Sequence, residues 1–271
     1  MKTIVDYVSF SIPVLKSTDG DDGAWWRSVT DELFTIEELY PLFDDRWHWK
    51  GGVAMKPYNR AWHRNDAGLS IHGNPNMPHI TIQISGGGCA QLRADGQFEA
   101  ILLAVSERIT RIDIATDILT SVTPKEFANC RLAGKFKSGG EQHSPTGATE
   151  YVGSRKSEQF LRVYVYNEPH PRAGILRVEF ELHRQHAKSC ALGVLSEGEA
   201  KVAAYLGKKF GLQHSVWEPE DFDNMDLRPA TPERKGTPKL MWLTKQVAPT
   251  IRRLHEEGTF DARAWIEEVL A

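Results

Sequence analysis

Polar and apolar residues alternate from the first positions of the chain. Ile4, Val8, Phe10 and Ile12 fall in one phase against Thr3, Ser9 and Ser11, which predicts a strand ended by Pro13. The same period of two returns in HITIQIS (residues 79–85), with Ile80, Ile82 and Ile84 on one face, and the Gly86–Gly88 run after it reads as a turn. ITRIDIATDI (109–118) and LRVEFEL (176–182) are further strands, and residues 150–153 and 159–167 form a hairpin around Ser154 to Ser157. Helical spacing marks 36–40 behind a Thr35 cap and 97–108, where Phe98, Leu102 and Val105 share a side. A helix from Thr123 and Pro124 runs to about residue 133, another lies within 185–210, and two more cover 239–257, with Pro249 inside it, and 261–270. Residues 45–67 read as strand and loop, and 135–148 as loop. Strands and helices mix without a regular βαβ repeat, which predicts an α+β fold: a central, mainly antiparallel sheet with flanking helices. The expected organisation is one domain over 1–215, a polar, Pro-bearing linker over 216–238 and a small helical C-terminal region over 239–271.

Three strands carry unusual residues opposite their apolar faces. In ITRIDIATDI, Ile112 and Ile114 point one way while Arg111, Asp113 and Asp117 point the other. In FLRVYVYNE, Leu161, Val163 and Val165 alternate with Arg162, Tyr164 and Tyr166. In LRVEFEL, Val178, Phe180 and Leu182 alternate with Arg177, Glu179 and Glu181, and His183 follows in phase. Grouped carboxylates suit a hard divalent cation such as Mg²⁺ or Mn²⁺. Interleaved arginines suit phosphate oxygens, and a tyrosine beside both can attack phosphorus. A solvated face laced with Arg–carboxylate pairs would show the same pattern.

Composition narrows the class. The 271 residues are 41% hydrophobic and 25% charged, as in ordinary globular proteins, and no apolar run approaches the length of a membrane span. Asp6 interrupts the N-terminal apolar residues, so no signal peptide is expected, and Cys89, Cys130 and Cys190 read as reduced cytosolic thiols. The net charge of −3 would discourage a nucleic-acid partner, but it averages over blocks. Residues 17–45 hold nine acids and one base; removing that −8 leaves +5 on the rest. Residues 228–253 hold seven bases and one acid. Trp25, Trp26, Trp47, Trp49 and Trp62 lie among Arg46, Lys50, Arg60 and Arg64, a composition that serves either core packing or stacking on single-stranded bases. Arg155 and Lys156, at the hairpin tip, are placed either to touch phosphate or simply to solvate a turn.

The three strands, in this order, resemble the replication initiation factor family. That family comprises rolling-circle initiators of staphylococcal-type plasmids, related initiators of filamentous phages, and some mobilisation relaxases. Its R-x-D-x-A-x-D strand is matched by Arg111 to Asp117, its hairpin ending in R-[VI]-Y by YVGSRKSEQFLRVY (Tyr151 to Tyr164), and its R-[VI]-E-x-E-L by Arg177 to Leu182. HITIQISGGGC (His79 to Cys89) is similar to the phage branch's strand running into a Gly-Cys turn. The resemblance implies a nickase- or relaxase-like fold and a protein that cuts one origin strand through a 5′-phosphotyrosine, leaving a 3′-OH for a polymerase. It puts the nucleophile at Tyr164, with Tyr166 as the alternative because plasmid members continue Y-[DN]-K where this chain reads Tyr164-Val-Tyr166-Asn167-Glu168. Metal ligation by Mg²⁺ or Mn²⁺ carries over to Asp113, Glu179 and Glu181, with Asp117 second, and Arg111, Arg162 and Arg177 either hold phosphate or neutralise these acids. The broader superfamily's His-hydrophobe-His triplet is missing, although His79 could give one nitrogen; His183 and His186 receive no role. The implied partners are single-stranded origin DNA and host replication proteins, in a bacterial cytoplasm, with the basic segment within 207–257 helping to bind duplex origin DNA. A non-catalytic DNA-binding regulator on the same fold and a relaxase acting at a transfer origin are the other readings of these residues.

Overall fold

The computed structural model describes residues 2–14, 22–33, 35–42, 50–64, 68–129, 139–144, 147–166, 169–212, 227, 248–258 and 261. The strands are β1 (Lys2–Pro13), β2 (Lys50–Gly51), β3 (Arg60–Arg64), β4 (Leu69–Gly73), β5 (His79–Ser85), β6 (Ile109–Leu119), β7 (Gly139–Ser144), β8 (Gly147–Val152), β9 (Gln159–Val165) and β10 (Ile175–His183). They form one ten-stranded sheet in the order β2-β3-β4-β5-β1-β6-β10-β9-β8-β7. Every pairing between these strands is antiparallel, as expected for an α+β fold. The helices are α1 (Asp22–Leu33), α2 (Gly86–Ala94), α3 (Phe98–Val105), α4 (Pro124–Asn129), α5 (Arg184–Glu197), α6 (Glu199–Lys209) and α7 (Ala248–Glu256). Two compact units are present, Met1–Pro229 and Ala230–Ala271. No described helix is long and apolar enough to cross a membrane.

Period-two burial builds the core. Ile80, Ile82 and Ile84 of β5, Ile112 and Ile114 of β6, Leu161 and Val163 of β9 and Val178 and Phe180 of β10 are all buried. Helix α5 packs on β6 and β10, α2 on β1 and β5, and α6 on β1 and β6. Cys190 of α5 and Cys89 of α2 are buried there as free thiols, and burial raises both well above the usual thiol range.

Strand β1 departs from simple alternation. Its pairing with β6 shifts register between Val5 and Tyr7, so Val5, not Ile4, takes the core position that precedes Val8. Side chains satisfy the backbone groups this bulge takes off the ladder. Glu199 Oε1 of α6 accepts the Val5 N–H at 2.8 Å, and Arg93 of α2 donates to the Val5 carbonyl at 3.3 Å while pairing with Glu199. The bulge brings Asp6 to the polar face of the sheet, where it meets Arg177 at 2.8 Å.

Other expectations are corrected where tertiary packing overrides local preference. Gly86–Gly88 does not turn but opens α2, because Gly88, Cys89 and Leu92 bury against β1 and β5. A Cβ on Gly86 would lie 2.5 Å from Asp6 Oδ1, so the close approach itself requires glycine. Part of the 135–148 loop is strand β7, held by its ladder with β8. The 36–40 helix is a 3₁₀ turn over Glu37–Leu42, with Thr35 donating back to the Glu32 carbonyl instead of capping it. The 185–210 helix is two helices, divided at Gly198, whose φ of 86° suits glycine. Of the two C-terminal helices, only Ala248–Glu256 and flanking residues are described; 239–247 and 262–271 lie outside the described residues, as do most of 213–238.

Residues 52–59 cross the polar side of β4 and β5 as a strap. Met55 N–H donates to His72 Nδ1 at 3.2 Å, Tyr58 Oη and Thr81 Oγ1 share a hydrogen bond of 2.6 Å, and Gln83 Nε2 reaches Met55 Sδ at 3.4 Å. His72 is therefore neutral, with its proton on Nε2 beside Ser70 Oγ at 3.1 Å. Burial, then the neighbouring His63, lowers its pKa below the ordinary 6.5. At pH values below 6.5 the unfolded chain binds a proton that the folded chain refuses, so stability falls as the pH falls. His72→Gln should therefore raise the midpoint of thermal unfolding at pH 5.5, relative to that at pH 7.5, by comparison with the unaltered protein; parallel curves for both proteins would disprove the role of His72.

Candidate active site

Register brings the polar residues of four strands together. Asp113 of β6 pairs with Tyr7 of β1 on one side and Glu181 of β10 on the other. Asp117 pairs with Arg177, which pairs in turn with Tyr164 of β9, and Glu179 pairs with Arg162. Period two then puts Tyr7, Arg111, Asp113, Asp117, Arg162, Tyr164, Arg177, Glu179 and Glu181 on one face.

Two groups form on that face. In the first, Arg111 donates to both Asp113 oxygens, at 2.8 and 2.5 Å, and lies 2.8 Å from Glu181. Arg162 pairs with Glu179 and lies 3.3 Å from Asp113 and 3.7 Å from Glu181. His183 donates to Glu181 at 2.8 Å, and the Tyr164 hydroxyl donates to Glu179 Oε2 at 3.0 Å. In the second, Arg177 holds Asp117 at 2.6 and 2.8 Å and Asp6 at 2.8 Å, and Arg172 approaches Asp117 at 3.3 Å. Asp117 is four residues beyond Asp113, about 13 Å along the strand. The structure thus gathers Asp113, Glu179 and Glu181 and assigns Asp117 to the other group.

The electrostatics follow from the count of charges. Three carboxyl groups meet two guanidiniums in the first group, one acid more than the cations can balance, whereas Asp6 and Asp117 balance Arg172 and Arg177 in the second. Burial raises Asp113 and lifts Glu179 to about 7, each beside the other's carboxyl, so the pair retains a proton near neutral pH. Burial alone would also raise Glu181, but the His183 hydrogen bond and both arginines outweigh it and its pKa is lowered. Tyr164 is raised by burial and by Glu179. Arg111 and Arg162 retain about a quarter of their side-chain surface, 26% and 27%, while Arg177 retains 2%. The first two can still reach a phosphate; Arg177 is a buried neutraliser.

The oxygen donors suit a hard cation in kind. Their arrangement does not: among the described residues no three His, Cys, Asp or Glu side chains are gathered to hold a metal ion, and both Arg111 and Arg162 lie between the carboxylates.

Tyr166 lies at the edge of the second group. Its ring stacks on His170 at 4.1 Å, meets Tyr164 edge-on at 5.4 Å and has the Arg177 and Arg172 guanidiniums 5.3 and 5.9 Å from its centre. Arg155 and Lys156 are exposed at the β8–β9 turn, with Arg155 5.1 Å above the Tyr151 ring. His79 packs against Tyr58 at the far end of β5, away from the acids, and His186 contacts Gln159 at 2.5 Å. Trp25 is core, 5.9 Å from Trp62, and Arg64 is buried. Arg46, Trp47 and Trp49 lie outside the described residues, as do most of the basic residues in 228–253.

Sequence reasoning missed Asp6, Tyr7, His170 and Arg172. Tyr7 was legible as in phase with Ser9 and Ser11; it sits under Arg111 at 4.4 Å, and burial pushes it up to about 12. Asp6 was not, because a bulge leaves no mark in the residue pattern. Removing Arg177 strands Asp6 and leaves Asp117 only the more exposed Arg172, so Arg177→Ala should destabilise the protein by about 3–5 kcal/mol in urea titrations. A loss below about 1 kcal/mol would show that the pair is solvated, as surface pairs are.

No family model matches the chain, and no curated protein matches it. Among solved structures, it is similar to a rolling circle replication initiator protein from Geobacillus stearothermophilus, at 15% identity and a TM-score of 0.52, over 84% of this chain and 92% of that one. The resemblance read from three strands is met at the level of architecture: the chain has the fold of a rolling-circle replication initiator.

Proposed function

We propose that the protein initiates rolling-circle replication by nicking one strand of origin DNA and rejoining it through a tyrosine. The observation that carries this reading is the 3.0 Å hydrogen bond from Tyr164 to Glu179, beside arginines about a quarter exposed, on a sheet shared with an initiator fold. A nucleophile bonded to its base is the arrangement that nucleophilic catalysis requires. The Tyr164 oxygen attacks the scissile phosphorus as its proton passes to Glu179 Oε2, which a pKa of about 7 suits to the task. The new P–O bond links Tyr164 to the 5′-phosphate, and the P–O3′ bond breaks with its electron pair on the 3′-oxygen, which takes a proton from water to give a 3′-OH. Arg111 and Arg162 face the phosphoryl oxygens where negative charge develops. Rejoining reverses the step, with the 3′-OH as nucleophile and Tyr164 as leaving group. Tyr166 is the second candidate nucleophile, and Arg155 and Lys156 extend the cationic surface toward flanking phosphates.

Incubation with single-stranded origin DNA, with Mg²⁺ or Mn²⁺ supplied, should yield a covalent adduct that peptide mapping assigns to Tyr164. Tyr164→Phe should abolish it, and Glu179→Gln should slow it by about 10²–10⁴-fold. An adduct at Tyr166 alone would transfer the role to that residue. Absence of any adduct while DNA binding persists would favour the non-catalytic regulator.

Ion dependence is separable. If Asp113, Glu179 and Glu181 are metal ligands, Arg162→Ala should bind Mn²⁺ more tightly than the unaltered protein in isothermal titration, because one competing cation is gone. Equal affinities would remove these carboxylates from metal binding.

A further inference from the structure

The strap over residues 52–59 presents a combination that the nicking site does not use. Residues 50–64 contain Lys50, Lys56, Arg60 and Arg64 and neither Asp nor Glu. Arg64 is buried and donates to the Leu42 carbonyl at 3.3 Å, while Lys50 and Lys56 are exposed and Arg60 is half-exposed. Between these cations the tip is apolar: Val53 is 89% exposed and Met55 43%.

The apolar tip is held in place. Besides the bonds to His72, Thr81 and Gln83, Asn59 N–H donates to the Gly73 carbonyl at 3.1 Å, Gly52 N–H to the Ala61 carbonyl at 3.0 Å, and His63 Nε2 lies 3.4 Å from the Val53 carbonyl. An exposed Val53 and a Met55 that keeps 43% of its surface while its sulfur is anchored to Gln83, both set among cations, match a partner with anionic and apolar surfaces side by side. A polynucleotide strand has both, in its phosphates and in its bases and sugars.

The position of the strap selects the strand. Ser70 pairs with Gln83, Gln83 with Ser9 and Ser9 with Arg111, so the strap and the Tyr164 site lie on one continuous face. Four strand spacings separate β5 from β9, about 19 Å, or about six nucleotides at the ~3.4 Å spacing of a stacked strand.

We propose that residues 50–60 form a second DNA-contact site, which holds the single strand about six nucleotides from the scissile phosphate. Lys50, Lys56 and Arg60 contact phosphates, and Val53 and Met55 contact bases or sugars. The site rests on the nicking reading for its place along the DNA, but not for its chemistry.

The test compares the full-length protein with a Lys50→Glu/Lys56→Glu variant, using a 25-nucleotide oligothymidine, a 25-base-pair duplex and fluorescence anisotropy. The variant should bind the oligothymidine about tenfold more weakly, and the slope of log affinity against log salt should fall by about 1.4, two phosphate contacts' worth. Photocross-linking to bromodeoxyuridine in place of thymidine should label the peptide that carries Val53 and Met55. Unchanged oligothymidine affinity, or a loss confined to the duplex, would overturn the proposal. Should the strap effect appear without any covalent adduct, the nicking reading fails and the contact site stands. An adduct without the strap effect removes the contact site and leaves the nicking reading intact.

Discussion

Burial of ionised groups on a β-sheet face constrains everything else in this protein. Asp113, Glu179, Glu181 and Arg177 are almost wholly removed from solvent, and each would cost several kcal/mol if left uncompensated. The answer is a lattice in which guanidiniums bridge carboxylates across β6, β9 and β10. Arg111 spans Asp113 and Glu181, Arg162 reaches all three acids, and Arg177 joins Asp117 to Asp6. A lattice with such short contacts tolerates no slip in register, because one residue of slip would send every charged group to the core.

Distant features serve that requirement. Asp6 reaches Arg177 only because β1 bulges, and the bulge is held by Glu199 and Arg93, which come from two helices on the core side. Gly86 leaves room for the Asp6 carboxylate. The tyrosines lie at the seam between the two charged groups: Tyr164 is bonded to the excess-acid group, and Tyr166 lies beside the balanced one. Burial and the neighbouring Glu179 hold the Tyr164 proton more tightly than water would, so its hydrogen bond to that carboxyl supplies a nearby acceptor, not a lowered pKa.

The two halves of the sheet differ in character. Strands β6, β10 and β9 carry charge, whereas β1, β5 and β4 present Ser9, Ser11, Thr81, Gln83, Ser70 and His72 on the same face. The neutral half is partly roofed by the strap, and it spends its polar groups on hydrogen bonds that hold this cover in place. One half is built to stabilise charge and the other to hold a cationic, apolar-tipped loop.

The sequence alone determined which residues share a face. Period two is a property of extended backbone, so Asp113 with Asp117, and Glu179 with Glu181, were legible from alternation, as were the Ile, Val and Phe positions of the core. Residue order also carried the likeness to initiators, which the fold then matched at 15% identity. Tertiary structure decided what alternation cannot encode. Asp113 and Asp117 share a face, yet the register with β10 sends one to Glu181 and the other to Arg177. Arg177 and Arg162 look alike in their motifs, yet one is buried between two aspartates and the other keeps 27% of its side-chain surface exposed beside three carboxyl groups. Asp6 entered the site through a bulge, and Gly86–Gly88 became helical through the burial of Cys89 and Leu92. Alternation is local and fixes direction, whereas partners depend on long-range register, and register is chosen by the packing of the whole sheet.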